Sequence, residues 1–140
     1  MLVDGYNIIF AWPDLKVLAE RNMESARQVL ADILCNYQGF KQCNVILVFD
    51  AYKVANGIRK QIEYNNIQIV YTGERETADA LIEKISYQLK DKYRVRVATS
   101  DSAEQMTVLG YGALRLSAQM LWEEIERTNQ EIRIIIQNKQ

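Results

Sequence analysis

The uninterrupted apolar run Val45–Phe49 constrains the fold of this chain more strongly than any other sequence feature. An apolar run without polar alternation indicates a strand that is covered on both faces, which is typical of a parallel sheet. Similar short runs predict further strands, of which the last is edge-like: Met1–Asp4, Ile67–Tyr71, Tyr93–Ala98 and Ala113–Leu116. Because helical segments separate the strands, the pattern predicts an α/β fold, a three-layer α/β/α sandwich with a mostly parallel central sheet.

The segments between the strands carry apolar residues at helical spacing. Helices are expected from about Leu15, around Ala26–Tyr37, over Ala78–Leu89, over Ser102–Leu109 and from about Ser117 onward. This order of elements gives no linker and no internal repeat. We therefore expect residues 1–140 to form a single domain, which is long enough to bury a substantial core.

Two local expectations concern the start and the end of the chain. Gly5-Tyr6-Asn7 follows the first strand and is predicted to be a tight polar turn, with Ile8–Phe10 packed beneath it. On the last helix, Trp122 and Ile136 fall on the apolar face with Ile125, so all three are expected to point inward.

Composition excludes several classes of function. The chain contains no histidine, which rules out Ser-His-Asp triads, Cys-His pairs and His-ligated zinc. Cys35 and Cys43 lack the spacing of a zinc site or a redox pair. With a net charge of −1, any contact with nucleic acid requires a local basic patch or a metal ion.

The sequence shows neither a membrane-spanning segment nor a signal peptide. No apolar run approaches the ~20 residues that a helix needs to cross a bilayer. The first residues also lack a basic segment followed by an apolar one. We therefore expect a cytoplasmic protein without a membrane partner.

Four aspartates stand where the predicted elements meet. Asp4, Asp50 and Asp101 each follow an apolar strand, whereas Asp79 lies in the first turn of a helix that Thr77 can cap. In open α/β sheets, ligands bind outside the carboxyl ends of the strands, near the point where the strand order reverses. The sequence therefore predicts that these four side chains converge in one acidic pocket.

Each of these acids also has a simpler explanation when it is taken alone. Asp4 could end a strand, Asp50 could stabilise a turn, Asp79 could complement a helix dipole and Asp101 could cap the helix that follows it. Their joint placement favours a metal site, because clustered carboxylates repel one another unless a cation lies among them. Oxygen ligands without His or Cys suit Mg²⁺ or Mn²⁺.

Further polar residues have candidate roles around this pocket. Asn7 and Ser100 could orient the acids, although ordinary turn chemistry also explains them. Glu76 shares a helix face with Asp79, three residues before it, and could support the metal ligands. The basic residues that could contact RNA phosphates are Lys53, Arg59, Arg75 and Arg115. A solvated surface position is the alternative for each of these four.

Four short motifs resemble those of one protein family. Val3-Asp4-Gly5-Tyr6-Asn7, Val48-Phe49-Asp50-Ala51, Glu76-Thr77-Ala78-Asp79 and Thr99-Ser100-Asp101 occur in the order found in the NYN domains of the YacP-like family, a branch of the PIN-like nucleases. The resemblance implies a PIN-like fold and a metal-dependent endoribonuclease. It also implies that the acidic metal-site residues are Asp4, Asp50, Asp79 and Asp101. The resemblance further implies that RNA cleavage is linked to translation, with the ribosome as a candidate partner.

These observations predict a Mg²⁺- or Mn²⁺-dependent endoribonuclease that acts on RNA, with mRNA as the expected target. A water activated by the metal would attack the phosphate in line. Two alternatives stay open. The first is a non-catalytic RNA- or ribosome-binding module of the same fold, and the second is a phosphorylation-receiver-type domain. The sequence leaves the oligomeric state open.

Overall fold

The computed structural model describes residues 1–51, 57–100 and 112–139. The strands in these ranges are β1 (Leu2–Asp4), β2 (Ile46–Phe49), β3 (Lys60–Tyr64), β4 (Ile67–Tyr71), β5 (Arg96–Ala98) and β6 (Leu114–Leu116). The helices are α1 (Gly5–Ala11), α2 (Pro13–Arg21), α3 (Met23–Lys41), α4 (Ala78–Leu89) and α5 (Ala118–Asn138). The alternation of strands and helices that the sequence predicts is confirmed within these ranges, and the predicted helix over Ser102–Leu109 lies outside the described residues.

The strands form one sheet in the order β3-β4-β2-β1-β5-β6. Within it, β4, β2, β1, β5 and β6 run parallel, and β3 pairs antiparallel with β4. Both β2 and β5 flank β1, so the strand order reverses direction beside the first strand. Because β1 ends in Asp4, the predicted ligand-binding edge and the first motif coincide.

Alternate residues of the buried strands face two separate apolar clusters. Val3, Leu47 and Phe49 face the cluster that contains residues of α1, α2, α3 and α5. Leu2 and Val48 face the cluster that α4 covers. Helices therefore lie on both faces of the sheet, which explains why the strand residues are apolar without alternation.

The segment after β1 differs from the sequence prediction. Gly5-Tyr6-Asn7 is not a free-standing turn, because helix α1 begins directly at Gly5. The Cα of Gly5 lies so close to the ring of Phe49 that a Cβ built there would be 2.6 Å from Cδ1. Glycine therefore allows the chain to pass from strand to helix against a buried aromatic ring.

Strand β3 was not predicted. Its side chains are mostly exposed, so it lacks the apolar run that identifies the other strands. A two-residue connection, Asn65–Asn66, joins it to β4, and Asn65 has a positive φ of 50°. This segment therefore forms an edge strand because it pairs antiparallel with β4.

Three apolar residues that were predicted to be buried are exposed instead. Phe10 is 53% exposed, Trp122 is 37% exposed and Ile136 is 53% exposed. On α5, buried positions reach only to Thr128, since the last part of this long helix extends past the elements that cover its first part. No helix in the three described ranges is both long and apolar enough to span a bilayer.

Candidate active site

A cleft of about 350 Å³ lies at the carboxyl ends of β1 and β2, beside the first turn of α4. Its lining residues are Asp4, Tyr6, Asn7, Asp50, Thr77, Ala78 and Asp79. Three of the four aspartates that the sequence singles out therefore line one cleft. The fourth, Asp101, lies outside the described residues.

Asp4 is held at the base of this cleft by a chain of hydrogen bonds. Asp4 is 5% exposed, and its Oδ2 accepts a hydrogen bond of 2.7 Å from Nδ2 of Asn7. The hydroxyl of Ser100 in turn donates to Oδ1 of Asn7 at 2.8 Å. Ser100 follows β5, so this chain connects the ends of the two strands between which the strand order reverses. The geometry agrees with an orienting role for Asn7 and Ser100.

Asp50 connects the end of β2 to the start of α4. Its Oδ2 accepts a hydrogen bond of 3.2 Å from the backbone N–H of Ala78, the first residue of that helix. Amide groups at a helix N-terminus carry partial positive charge, which stabilises a carboxylate there. This contact anchors the Asp50 carboxylate in the lining of the cleft.

Asp79 lies in the first turn of α4, as predicted. Thr77 caps this helix, and its Oγ1 accepts a hydrogen bond of 3.1 Å from the N–H of Ala80. The cap fixes where the helix begins and so fixes the direction in which Asp79 projects. Asp79 is exposed, whereas Asp4 is buried.

Glu76 does not line the cleft. It forms a two-pronged ion pair with the guanidinium of Arg59, in which Nε donates to Oε1 at 2.9 Å and Nη2 donates to Oε2. Oε1 also accepts from the backbone N–H of Gly73 at 3.2 Å. The Arg59 guanidinium lowers the pKa of the Glu76 carboxyl, with help from that N–H. Glu76 thus braces the loop that leads into α4.

Of the predicted RNA-contacting residues, Arg59, Arg75 and Arg115 do not line the cleft. Arg59 is engaged by Glu76, whereas Arg75 and Arg115 are exposed, and Arg75 has a positive φ of 62°. Lys53 lies outside the described residues. Their role in RNA binding stays a prediction.

Two residues at this site were missed by sequence reasoning. The hydroxyl of buried Thr72 accepts from the N–H of Ala51 at 2.8 Å, and its own N–H donates to the carbonyl of Phe49 at 3.0 Å. Thr72 thereby holds the chain on both sides of Asp50. Tyr6 lines the cleft itself, and its only sequence signal is its place between Asp4 and Asn7.

The donor chemistry of the cleft fits a hard divalent cation. Carboxylates supply the charged oxygens, and the chain has no histidine that would favour zinc. Across residues 1–51, 57–100 and 112–139, no three Asp, Glu or Cys side chains are close enough together to hold a metal ion. Asp4, Asp50 and Asp79 would therefore hold a cation partly through water, as Mg²⁺ sites commonly do.

Comparison with known proteins agrees with this architecture. The model of the YacP-like NYN domain matches residues 1–140. The protein YacP of Bacillus subtilis (strain 168) is 43% identical over 133 residues, which are 94% of this chain and 78% of YacP.

Two crystal structures of Rae1 (YacP) from Bacillus subtilis have the same fold. A mutant form superposes with a TM-score of 0.84 at 39% identity, covering 98% of this chain and 80% of that one. Another structure of the protein gives a TM-score of 0.81 at 41% identity, covering 98% and 79%. Because a family model covers the whole sequence and the relatives share both sequence and fold, the chain belongs to the YacP-like NYN domain family of PIN-like nuclease domains.

Proposed function

We propose that this protein is a Mg²⁺- or Mn²⁺-dependent endoribonuclease. The observation that carries the proposal is the cleft at the carboxyl edge of the sheet, which Asp4, Asp50 and Asp79 all line. Membership of a nuclease family makes phosphodiester cleavage the chemistry that fits this cleft. NYN nuclease domains generally depend on divalent metals, in keeping with a site built from carboxylates.

Two acids of the cleft are held in place by hydrogen bonds to the protein. Asn7 donates to Oδ2 of Asp4 and the N–H of Ala78 donates to Oδ2 of Asp50, so each carboxylate is oriented within the cleft. Asp79 and Asp101 would complete the set of acids. A bound divalent cation supplies charge neutralisation at the phosphate and lowers the pKa of water. Hydrolysis by water would leave a 5′-phosphate and a 3′-hydroxyl.

The substrate and partners are part of the same proposal. We place the activity on RNA, with mRNA as the target and the ribosome as a candidate partner, in the cytoplasm. The support is the family resemblance, since the chain's net charge of −1 provides no general affinity for phosphates. Arg75 and Arg115, both exposed, are available to contact the RNA backbone.

A cleavage assay with Asp79→Asn tests the proposal. Asp79 is exposed, so the substitution should leave folding intact while removing a charge from the cleft. We expect cleavage of an RNA oligonucleotide to fall at least about 100-fold, a loss that changes around a metal site readily cause. EDTA should abolish cleavage, and Mg²⁺ or Mn²⁺ should restore it.

The matched control is Glu83→Gln, which makes the same kind of change one turn further along α4 and outside the cleft lining. This variant should cut RNA like the unsubstituted protein. Equal cleavage by Asp79→Asn and the unsubstituted protein, with and without EDTA, would rule out the proposed mechanism.

A second candidate, a non-catalytic RNA-binding module, has one observation in its favour. The described residues alone do not bring three carboxylates within reach of one ion. Binding of RNA without any metal-dependent turnover would support this candidate. Metal-dependent turnover that Asp79→Asn removes would eliminate it.

A further inference from the structure

Helix α1 carries two aromatic side chains outward from the acidic cleft. Tyr6 lines the cleft, and Phe10 lies one turn further along the same helix. Their ring centroids are 6.5 Å apart with an interplanar angle of 32°, so the two rings lie on the same side of α1. Phe10 is 53% exposed. The pair therefore forms a short aromatic surface that starts inside the cleft and ends in solvent.

Tyr6 is fixed in this position from two sides. Its ring packs against the buried ring of Phe49, with centroids 5.0 Å apart. Its hydroxyl accepts a hydrogen bond of 3.2 Å from Nη1 of Arg27 on α3. The Phe49 contact restricts the ring, and the Arg27 contact places a guanidinium beside it. An ordered aromatic face next to a cation costs little conformational entropy when a flat ligand binds.

We infer that Tyr6 and Phe10 stack on bases of an unpaired RNA strand that enters the acidic cleft, while Arg27 contacts its backbone phosphate. This inference rests on the proposed function, because it takes RNA as the occupant of the cleft. Single-stranded nucleic acids are bound by aromatic side chains that stack on bases and by cations that follow the backbone. The Tyr6–Phe10 pair and Arg27 supply both elements beside the cleft lining.

The same geometry disfavours a fully paired strand at this surface. Bases inside a duplex already stack on each other and do not offer their faces to side chains, whereas unpaired bases do. When no cation lies among them, the acids of the cleft repel phosphates, so contacts outside the cleft must contribute to holding the strand. Stacking provides such a contact without depending on charge. The Tyr6–Phe10 surface should therefore select for unpaired RNA.

Fluorescence anisotropy with a labelled, unstructured RNA oligonucleotide tests the inference. Measurements in EDTA report binding while preventing metal-dependent cleavage. We expect Phe10→Ala to weaken binding about ten-fold, since base stacking contributes about that much affinity per base. Phe10→Trp should retain binding, because it preserves a stacking face. A duplex of the same sequence should bind Phe10→Ala and the unsubstituted protein equally.

Val17→Ala is the matched control, since Val17 is an apolar residue on α2 that is 55% exposed. Equal affinities of Phe10→Ala and Val17→Ala for unpaired RNA would overturn the inference, even if the protein cuts RNA as proposed. Absence of RNA binding by the unsubstituted protein would also overturn it. Weaker binding by Phe10→Ala alone would support the inference even if the cleavage assay showed no turnover.

Discussion

Substitution of Gly5 by alanine tests the contact between Gly5 and Phe49, which joins the motif around Asp4 to the motif around Asp50. A Cβ at Gly5 would overlap the ring of Phe49, at 2.6 Å from Cδ1 and 3.0 Å from Cζ. The ring is 1% exposed and cannot easily retreat, because Tyr6 lies 5.0 Å away on one side and Tyr71 lies 5.7 Å away on another, centroid to centroid. The added methyl group must therefore displace the backbone or the ring.

The size of the effect follows from two opposing contributions. Overpacking of a well-packed core costs about 1–3 kcal/mol. Replacing glycine by alanine within a helix raises the free energy of unfolding by at most about 1 kcal/mol. The gain should be smaller at Gly5, because it is the first residue of α1. We expect Gly5→Ala to lower the free energy of unfolding by about 1–2 kcal/mol. Because Asp4 and Asp50 adjoin the two displaced residues, RNA cleavage should fall as well.

Urea unfolding measures this loss, and a double-mutant cycle identifies its cause. Phe49→Leu removes the ring that Gly5 faces, so the double variant Gly5→Ala/Phe49→Leu should lose less stability than the sum of the two single changes. We expect a difference of about 1 kcal/mol, which is typical of residues in direct contact. Additive losses would refute the steric explanation.

Gly39→Ala is the matched control for Gly5→Ala. Gly39 lies within α3, and the nearest atom to a Cβ built there is Nδ2 of Asn66 at 3.6 Å, an ordinary contact distance. Alanine at this position should leave stability unchanged or raise it by up to about 1 kcal/mol. A loss at Gly39 equal to that at Gly5 would mean that glycine replacement itself, rather than the Phe49 contact, destabilises the protein.

Two ion-pair predictions concern regions outside the cleft. Arg59→Ala should lower the free energy of unfolding by only about 0.5–1 kcal/mol, because the ion pair with Glu76 is partly exposed and screened. Since Arg59 lowers the pKa of Glu76, the ion pair should stabilise the protein fully above the unfolded-state pKa of Glu76, and this stabilisation should vanish as pH falls through the folded-state pKa. Urea unfolding at a series of pH values should show this dependence in the unsubstituted protein but not in Arg59→Ala. Glu124→Gln should lower the free energy of unfolding by about 2 kcal/mol in the same assay, because it weakens a half-buried hydrogen-bond network. In this network Arg96 donates to both carboxylate oxygens of Glu124, at 2.8 and 2.7 Å, and Tyr37 donates to one of them. If Arg59→Ala kept the pH dependence of stability of the unsubstituted protein, the first prediction would be contradicted. If Glu124→Gln lowered the free energy of unfolding by less than about 0.5 kcal/mol, the second would be contradicted.

The acids of the cleft could be located from sequence because strand ends are local features. An apolar run that stops at Asp4 or Asp50 shows both that the strand is buried and that it ends there. The parallel arrangement of the sheet then brings these ends to the same edge. Asp79 was located in the same way, since Thr77 and the periodicity of α4 fix the start of that helix. The function of these residues stays a prediction.

The partners of the site residues could not be predicted in this way. The sequence predicts that Glu76 supports Asp79, yet Glu76 binds Arg59, which precedes a strand without an apolar pattern. Strand β3 has no apolar pattern, so its position depends on pairing with β4. The ion pair between Arg59 and Glu76 depends on that strand pairing, and it produces no periodic pattern in the sequence.

The sequence by itself determined the class of fold, the order of its central elements and the edge at which the aspartates gather, because burial and periodicity act on neighbouring residues. The tertiary structure decided that α1 begins at Gly5, that Phe10 is exposed and that Tyr6 lies within the cleft. These features depend on Phe49 and on other residues distant in the chain. Long-range packing therefore shapes the surface around the acids, whereas local sequence places the acids themselves.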